Sequence, residues 1–221
     1  MSDSAPAQAA SQAQDRIRDA ATVIIVDRDG AGGPAVLMGM RGAKAAFMPS
    51  KYVFPGGAVD ADDDFPCPDA LSDACRARLT AEPLTGSAVT PDALACAALR
   101  EMVEETGLTL APTADDPLLF VFRAITPPGR PRRFDARFFL IDARNIVGDR
   151  SDFSAACDEL SYLHWVPLSE ARALDLPFIT EVVLAEIEAL VRAADGAPLQ
   201  TPATVPFFDN RGSEPRFVQL S

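Results

Sequence analysis

Hydrophobic and polar positions fall into blocks whose period changes along the chain. The densest apolar block, residues 21–27 (ATVIIVD), is β-branched and predicts a strand. DGAGG follows it, and residues 34–41 (PAVLMGMR) read as a returning strand, so Gly30, Gly32 and Gly33 mark a hairpin. Residues 51–60 (KYVFPGGAVD) predict a short strand ending at Pro55, Gly56 and Gly57. Three more strand patterns cover 118–126, 133–142 and 160–168.

Two stretches carry helical periodicity. In the first, Thr90 suits the N-cap, Pro91 the first helical position, Asp92 the positive helix start, and Gly107 the left-handed position after Thr106. Leu94, Ala98, Leu99, Met102 and Val103 then form its buried stripe. The second, 177–194, is an amphipathic closing helix. Short strands mixed with two main helices predict an α/β (α+β) sandwich. Residues 61–90 differ in character: DADDDFPCPD is acidic and broken by proline, and ALSDACRARL is a short helix with apolar residues at 71, 74, 75 and 79. This stretch reads as an insertion. Residues 1–19 are expected as a disordered tail, 20–194 as the domain, and 195–221 as a second tail with a few apolar residues.

Composition narrows the function. The 221 residues hold 20 Lys and Arg against 32 Asp and Glu, a formal charge of −12, which argues against a broad basic face for nucleic acid. An anionic small molecule remains an acceptable ligand where local arginines or a metal reverse the sign. No apolar run is long enough for a membrane span, and the N-terminal stretch does not read as a secretory signal. Cys67, Cys75, Cys96 and Cys157 form no CxxC pair, and His164 is the lone histidine, so zinc is not expected. Cys96 reads as a core residue, and the cysteine usage predicts a reducing, cytoplasmic compartment.

Glu101, Glu104 and Glu105 stand at the end of the first helix with spacing i, i+3, i+4, which places them on one face. The helix dipole disfavours each of them there by roughly 0.3–1 kcal/mol. Arg100 offsets one charge of the three. A solvated acidic face is the ordinary reading of such a cluster. With FPGG upstream, a hard divalent cation, Mg²⁺ or Mn²⁺, becomes the better explanation, since such ions prefer carboxylate oxygen.

FPGG followed by REMVEETGL resembles the box of the Nudix hydrolases. Its second half is complete in Arg100, Glu101, Met102, Glu104, Glu105, Gly107 and Leu108, and its glycine corresponds to Gly57. The family separates that glycine and arginine by 14 positions. Here the separation is 100 − 57 = 43, an excess of 29 that matches the inserted segment. The box's intermediate glutamate has no clean counterpart: Asp63 keeps the forward spacing, while counting back from Arg100 lands on Ala93. A subgroup that includes the peroxisomal coenzyme A diphosphatase of mammals carries such an insertion. It is also similar to FMPSKYVFPGGAVDADD and ITPPGRPRRFDARFFL of this chain.

The resemblance implies a Nudix-type α/β/α sandwich with a mixed sheet, and hydrolysis of a nucleoside diphosphate linked to a group X. The substrate it points to is coenzyme A or an acyl derivative. ADP-ribose or another dinucleotide, and a non-catalytic nucleotide sensor, are the alternatives. It assigns the metal to Glu101, Glu104 and Glu105 and makes Arg100 their holder. Glu159 stands where several Nudix enzymes place a base, with Glu101 and Asp158 as competitors. Gly56 and Gly57 turn the backbone beside the metal helix. Arg41, Arg132 and Arg133 are candidates for the substrate's phosphates. Phe47 to Pro49 serve either loop packing or contact with pantetheine or a base. His164, Trp165 and Phe178 read as structural. A homodimer is common in such a family.

Overall fold

The computed structural model describes residues 16–30, 32–43, 47–63, 68–112 and 116–221. Nine strands form one mixed sheet: β1 (Ile17–Asp27), β2 (Ala35–Arg41), β3 (Tyr52–Val53), β4 (Gly56–Ala58), β5 (Leu119–Ile125), β6 (Arg133–Asp142), β7 (Leu160–Pro167), β8 (Val205–Asp209) and β9 (Arg216–Leu220). Its main path runs β3-β2-β1-β6-β5-β8-β9, with β4 beside β1 and β7 beside β2. Among the described residues, four α-helices cover it: α1 (Asp73–Leu79), α2 (Pro91–Thr106), α3 (Leu168–Ala171) and α4 (Phe178–Ala194).

The apolar run of β1 has a direct cause. Ala21, Val23 and Ile25 pack into the core beneath α1 and α2, while Ile24 and Val26 pack into the core beneath α3 and α4. A strand covered on both faces needs apolar residues at every position rather than alternate ones. The result is an α/β/α sandwich in which β1 pairs in parallel with β6 over ten positions, Ile17 to Arg133 through Val26 to Asp142.

The boundaries differ from expectation at both ends. Residues 1–15, within the expected N-terminal tail, lie outside the described residues, as does Cys67. β1 begins at Ile17, inside that expected tail, because its first turns of pairing are supplied by β6. Residues 195–221 are not simply a tail: β8 joins β5 in parallel and β9 closes the sheet edge. These strands are short, and they depend on a partner far away in sequence.

The described part of residues 61–90 is fastened to the sheet. Arg123 donates to the Ala81 carbonyl at 2.9 Å and forms a two-bond pair with buried Asp135. The Ser87 hydroxyl bonds Asp19 at 2.7 Å, Arg78 donates to the carbonyls of Pro202 and Ala203, and Arg211 pairs with Glu82. Its described part therefore packs against β5 and the C-terminal strands.

Candidate active site

α2 forms where its local chemistry dictates. The Thr90 hydroxyl accepts the Ala93 N–H at 3.0 Å, Pro91 occupies the first turn, and Gly107 ends the helix at φ 72°. Leu94, Ala98 and Met102 are buried as expected, but Val103 is exposed. The three glutamates also separate. Glu101 and Glu105, one turn apart, are buried, whereas the Glu104 side chain is about half exposed. Spacing alone placed them on one face; packing against β4 takes only the i, i+4 pair inward.

Two glycines make room for that pair. The Gly56 N–H donates to Glu105 Oε2 at 2.7 Å. Gly56 has φ 153°, and a Cβ there would sit 2.5 Å from the Ala21 carbonyl oxygen. A Cβ on Gly57 would sit 2.1 Å from Glu101 Oε1. Both positions require glycine for close approach rather than for a turn alone.

Arg100 organises the acids. It donates to both oxygens of Asp63 at 2.9 and 3.0 Å, to Glu101 at 2.8 Å, to Glu104 at 3.1 Å and to the Ala58 carbonyl at 3.1 Å. Asp63 also accepts the Asp60 N–H at 2.8 Å. Of the two counts that the box allows, forward spacing from Gly57 thus leads to the acid that meets the arginine. Ala93, the backward count, is a buried apolar position on α2. Burial pushes the Asp63 carboxyl up, but the Arg100 hydrogen bonds, the Asp60 N–H and the Arg100 charge outweigh it and hold it below the ordinary range.

The two buried glutamates shift the other way. Burial pushes Glu101 up against the opposing Arg100 contacts. Burial pushes Glu105 up to about 8, with the Gly56 N–H and Arg41 opposing and the Glu101 and Glu159 charges adding. Glu105 Oε1 is buried and lacks a hydrogen-bond partner among the described residues. An unpartnered buried carboxylate oxygen is costly. Beside a second buried carboxylate it suits a hard divalent cation, which supplies the missing partner and the missing charge. Among the described residues, no three His, Cys, Asp or Glu side chains converge as a ready cage. Arg100 pairs with both Glu101 and Glu104, but only Glu101 is buried beside Glu105, whereas the half-exposed Glu104 stands at the periphery.

Glu159 is brought to the same place by the loop before β7. The Cys157 N–H donates to the Glu104 carbonyl at 2.7 Å, and Ala155 packs against Gly107. Arg41, ending β2, donates to Glu159 at 3.1 Å and to the Gly56 carbonyl at 3.2 Å.

Gly56, Gly57 and Arg41 open into a cleft of about 770 Å³. Its walls are mainly apolar, among them Val53, Phe54, Phe138 and Leu176, with Phe47, Met48 and Pro49 on one side. Lys51 and Arg130 add positive charge. No lining residue comes from the described part of residues 61–90.

Several expected residues stand elsewhere. Arg133 is buried and donates to the carbonyls of Thr126 and Asn210, so it ties β5 and β6 to the end of β8, and it does not line the cleft. Arg132 is exposed and does not line the cleft, whereas its neighbour Arg130 does. Phe178 is 68% exposed at the cleft mouth, not core. Trp165 packs beside the core and donates to the Arg150 carbonyl. His164 is exposed, with Nδ1 2.7 Å from the Tyr162 carbonyl oxygen and its ring edge-on to Tyr52. Arg130 and Phe178 could have been found from the turn and helix start that carry them; Lys51 carried no distinguishing signal.

No family model and no curated protein matches this chain. Among solved structures, a NUDIX hydrolase from Alicyclobacillus acidocaldarius is similar at 26% identity, covering 85% of this chain and 98% of that one, with a TM-score of 0.58. A NUDIX hydrolase from Nitrosomonas europaea is similar in fold at 13% identity, covering 79% and 90%, with a TM-score of 0.50.

Proposed function

We propose that this chain is a Nudix pyrophosphohydrolase that cleaves the diphosphate of coenzyme A or an acyl-coenzyme A. The products are 3′,5′-ADP and 4′-phosphopantetheine or its acyl form. The observation that carries this reading is the pairing of two buried glutamates, behind the two glycines of β4, with an apolar cleft rimmed by Arg41, Lys51 and Arg130. A diphosphate matches the charged end. A pantetheine arm with an acyl group matches the apolar walls, which offer few partners to a hydroxyl-rich sugar.

Glu101 and Glu105 would hold Mg²⁺ or Mn²⁺, with Glu104 at the periphery. When bound, such an ion neutralises diphosphate charge and lowers the pKa of a bound water. The remaining work belongs to the side chains. Arg100, clamped by Asp63, holds Glu101 in place. Glu159, exposed at the end of its loop, accepts the proton of the attacking water, and Arg41, Lys51 and Arg130 orient the anionic substrate. The cysteine usage, with no CxxC pair, supports a reducing, cytoplasmic setting. No described helix is long and apolar enough to cross a membrane.

The test offers the full chain coenzyme A, acetyl-coenzyme A, ADP-ribose, NADH and diadenosine polyphosphates, each with Mg²⁺ or Mn²⁺, and identifies products by mass. Release of 3′,5′-ADP from the coenzyme A substrates supports the proposal. Hydrolysis confined to ADP-ribose removes the coenzyme A assignment. Nucleotide binding without hydrolysis of any substrate indicates a sensor.

A further inference from the structure

Arg41 joins two parts of the site through one residue. Its guanidinium donates to the Gly56 carbonyl at 3.2 Å, while the Gly56 N–H donates to Glu105 at 2.7 Å. The same guanidinium holds Glu159 at 3.1 Å. The Arg41 side chain is largely buried, whereas that of Glu159 is 57% exposed, so Arg41 is the anchored member and Glu159 the movable one. Among the described residues Glu159 has no second hydrogen-bond donor. Arg41 also lines the cleft beside Gly56 and Gly57, where a diphosphate would enter.

We infer that Arg41 is an exchangeable counter-ion: it holds Glu159 until a diphosphate takes its guanidinium, and only then is the Glu159 carboxylate free to act. This rests on the functional reading above and adds an order of events to it. Three charges contend for the same space: the guanidinium, a divalent cation near Glu101 and Glu105, and the Glu159 carboxylate. A cation entering alone meets the positive charge of Arg41 and finds Glu159 already paired. A diphosphate offers the guanidinium a two-oxygen acceptor that a single glutamate oxygen does not match. Substrate binding thereby releases Glu159 and neutralises a charge that opposes the metal. Arg41 is a positioning residue for Glu159, in addition to contacting substrate.

Mn²⁺ titrations of the full chain without substrate, followed by paramagnetic resonance of free Mn²⁺, test this. Wild type, Arg41→Gln, Arg41→Lys, Glu159→Gln and the Arg41→Gln, Glu159→Gln double variant are compared, with folding checked by circular dichroism. Arg41→Gln is expected to bind Mn²⁺ about fivefold more tightly than wild type, the size of effect expected from removing one nearby charge. Arg41→Lys, which keeps the charge, should stay near wild type. Glu159→Gln, which leaves the guanidinium unpaired, should bind more weakly than wild type, and the double variant should return close to wild type, because the carboxylate to be released is gone. Unchanged or weaker binding by Arg41→Gln overturns the inference, as does a double variant that binds as tightly as Arg41→Gln. Absence of Mn²⁺ binding by wild type and by every variant, with coenzyme A present as well as without it, overturns the functional reading itself, so the two failures are distinguishable.

Discussion

The carboxylate of Glu101 occupies the space that a side chain at position 57 would fill, with Oε1 only 2.1 Å from where that Cβ would lie. Gly57→Ala must therefore displace Glu101, which Arg100 holds from the other side at 2.8 Å. Overpacking of this kind costs about 1–3 kcal/mol. Misplacing a catalytic group by an ångström costs roughly 100-fold in rate. Urea denaturation and initial rates measured together should show both losses.

The Arg100–Asp63 clamp should be visible in acid. Asp63 is 2% exposed, and its folded pKa lies below 3.8. A depressed carboxylate contributes stability above its unfolded pKa and loses it as the pH falls through the folded value. Arg100→Ala leaves that carboxylate without its ion partner. The expected loss is about 2–4 kcal/mol at pH 7, below the fully buried range because the Arg100 side chain is partly exposed. The gap between variant and wild type should shrink toward pH 3, where Asp63 can protonate. Urea midpoints at the two pH values check this.

Glu105 has the opposite sign. Its folded pKa is raised from 4.5 to about 8 in the metal-free protein. The folded state then holds a proton that the unfolded state has released, so metal-free stability falls as the pH rises from about 4.5 to about 8 and levels off above. Glu105→Gln should flatten this slope. Added Mn²⁺ should restore wild-type stability at the alkaline end, bind more tightly as pH rises toward 8, and release protons. Thermal melts with and without chelator measure all of these effects.

Glu159→Gln tests the base. Turnover at saturating metal should drop by about 10²–10⁴-fold, with a smaller change in KM. Wild-type turnover would remove Glu159 from that role.

Arg133 and Arg130 should behave differently. Arg133→Ala breaks bonds to the Thr126 and Asn210 carbonyls and should lower the melting temperature with little change in KM. Arg130→Ala, at the cleft, should raise KM and leave the melting temperature close to wild type. Parallel melts and kinetics distinguish them.

What could be read in advance was what local chemistry decides. Thr90, Pro91 and Gly107 set the ends of α2 through their own backbone and hydroxyl, so that helix falls where its residues place it. The acidic cluster was legible as a cluster, but not its division into two buried and one exposed glutamate, which depends on β4 packing against α2. Arg133 resembled a surface phosphate ligand because it follows Pro131 and Arg132. In β6, however, Arg133, Asp135 and Arg137 share a face, and Arg123 and Asp19 supply partners from strands distant in sequence. β8 and β9 escaped notice for the same reason: each is five residues long and gains its stability from a neighbouring strand.

Mn²⁺ titration of wild type against a Glu101→Gln, Glu105→Gln variant, with circular dichroism confirming the fold, tests the central claim most directly. The account predicts binding by wild type, and loss of both Mn²⁺ binding and diphosphate hydrolysis in the folded variant. Equal Mn²⁺ binding and turnover by the two proteins would contradict it.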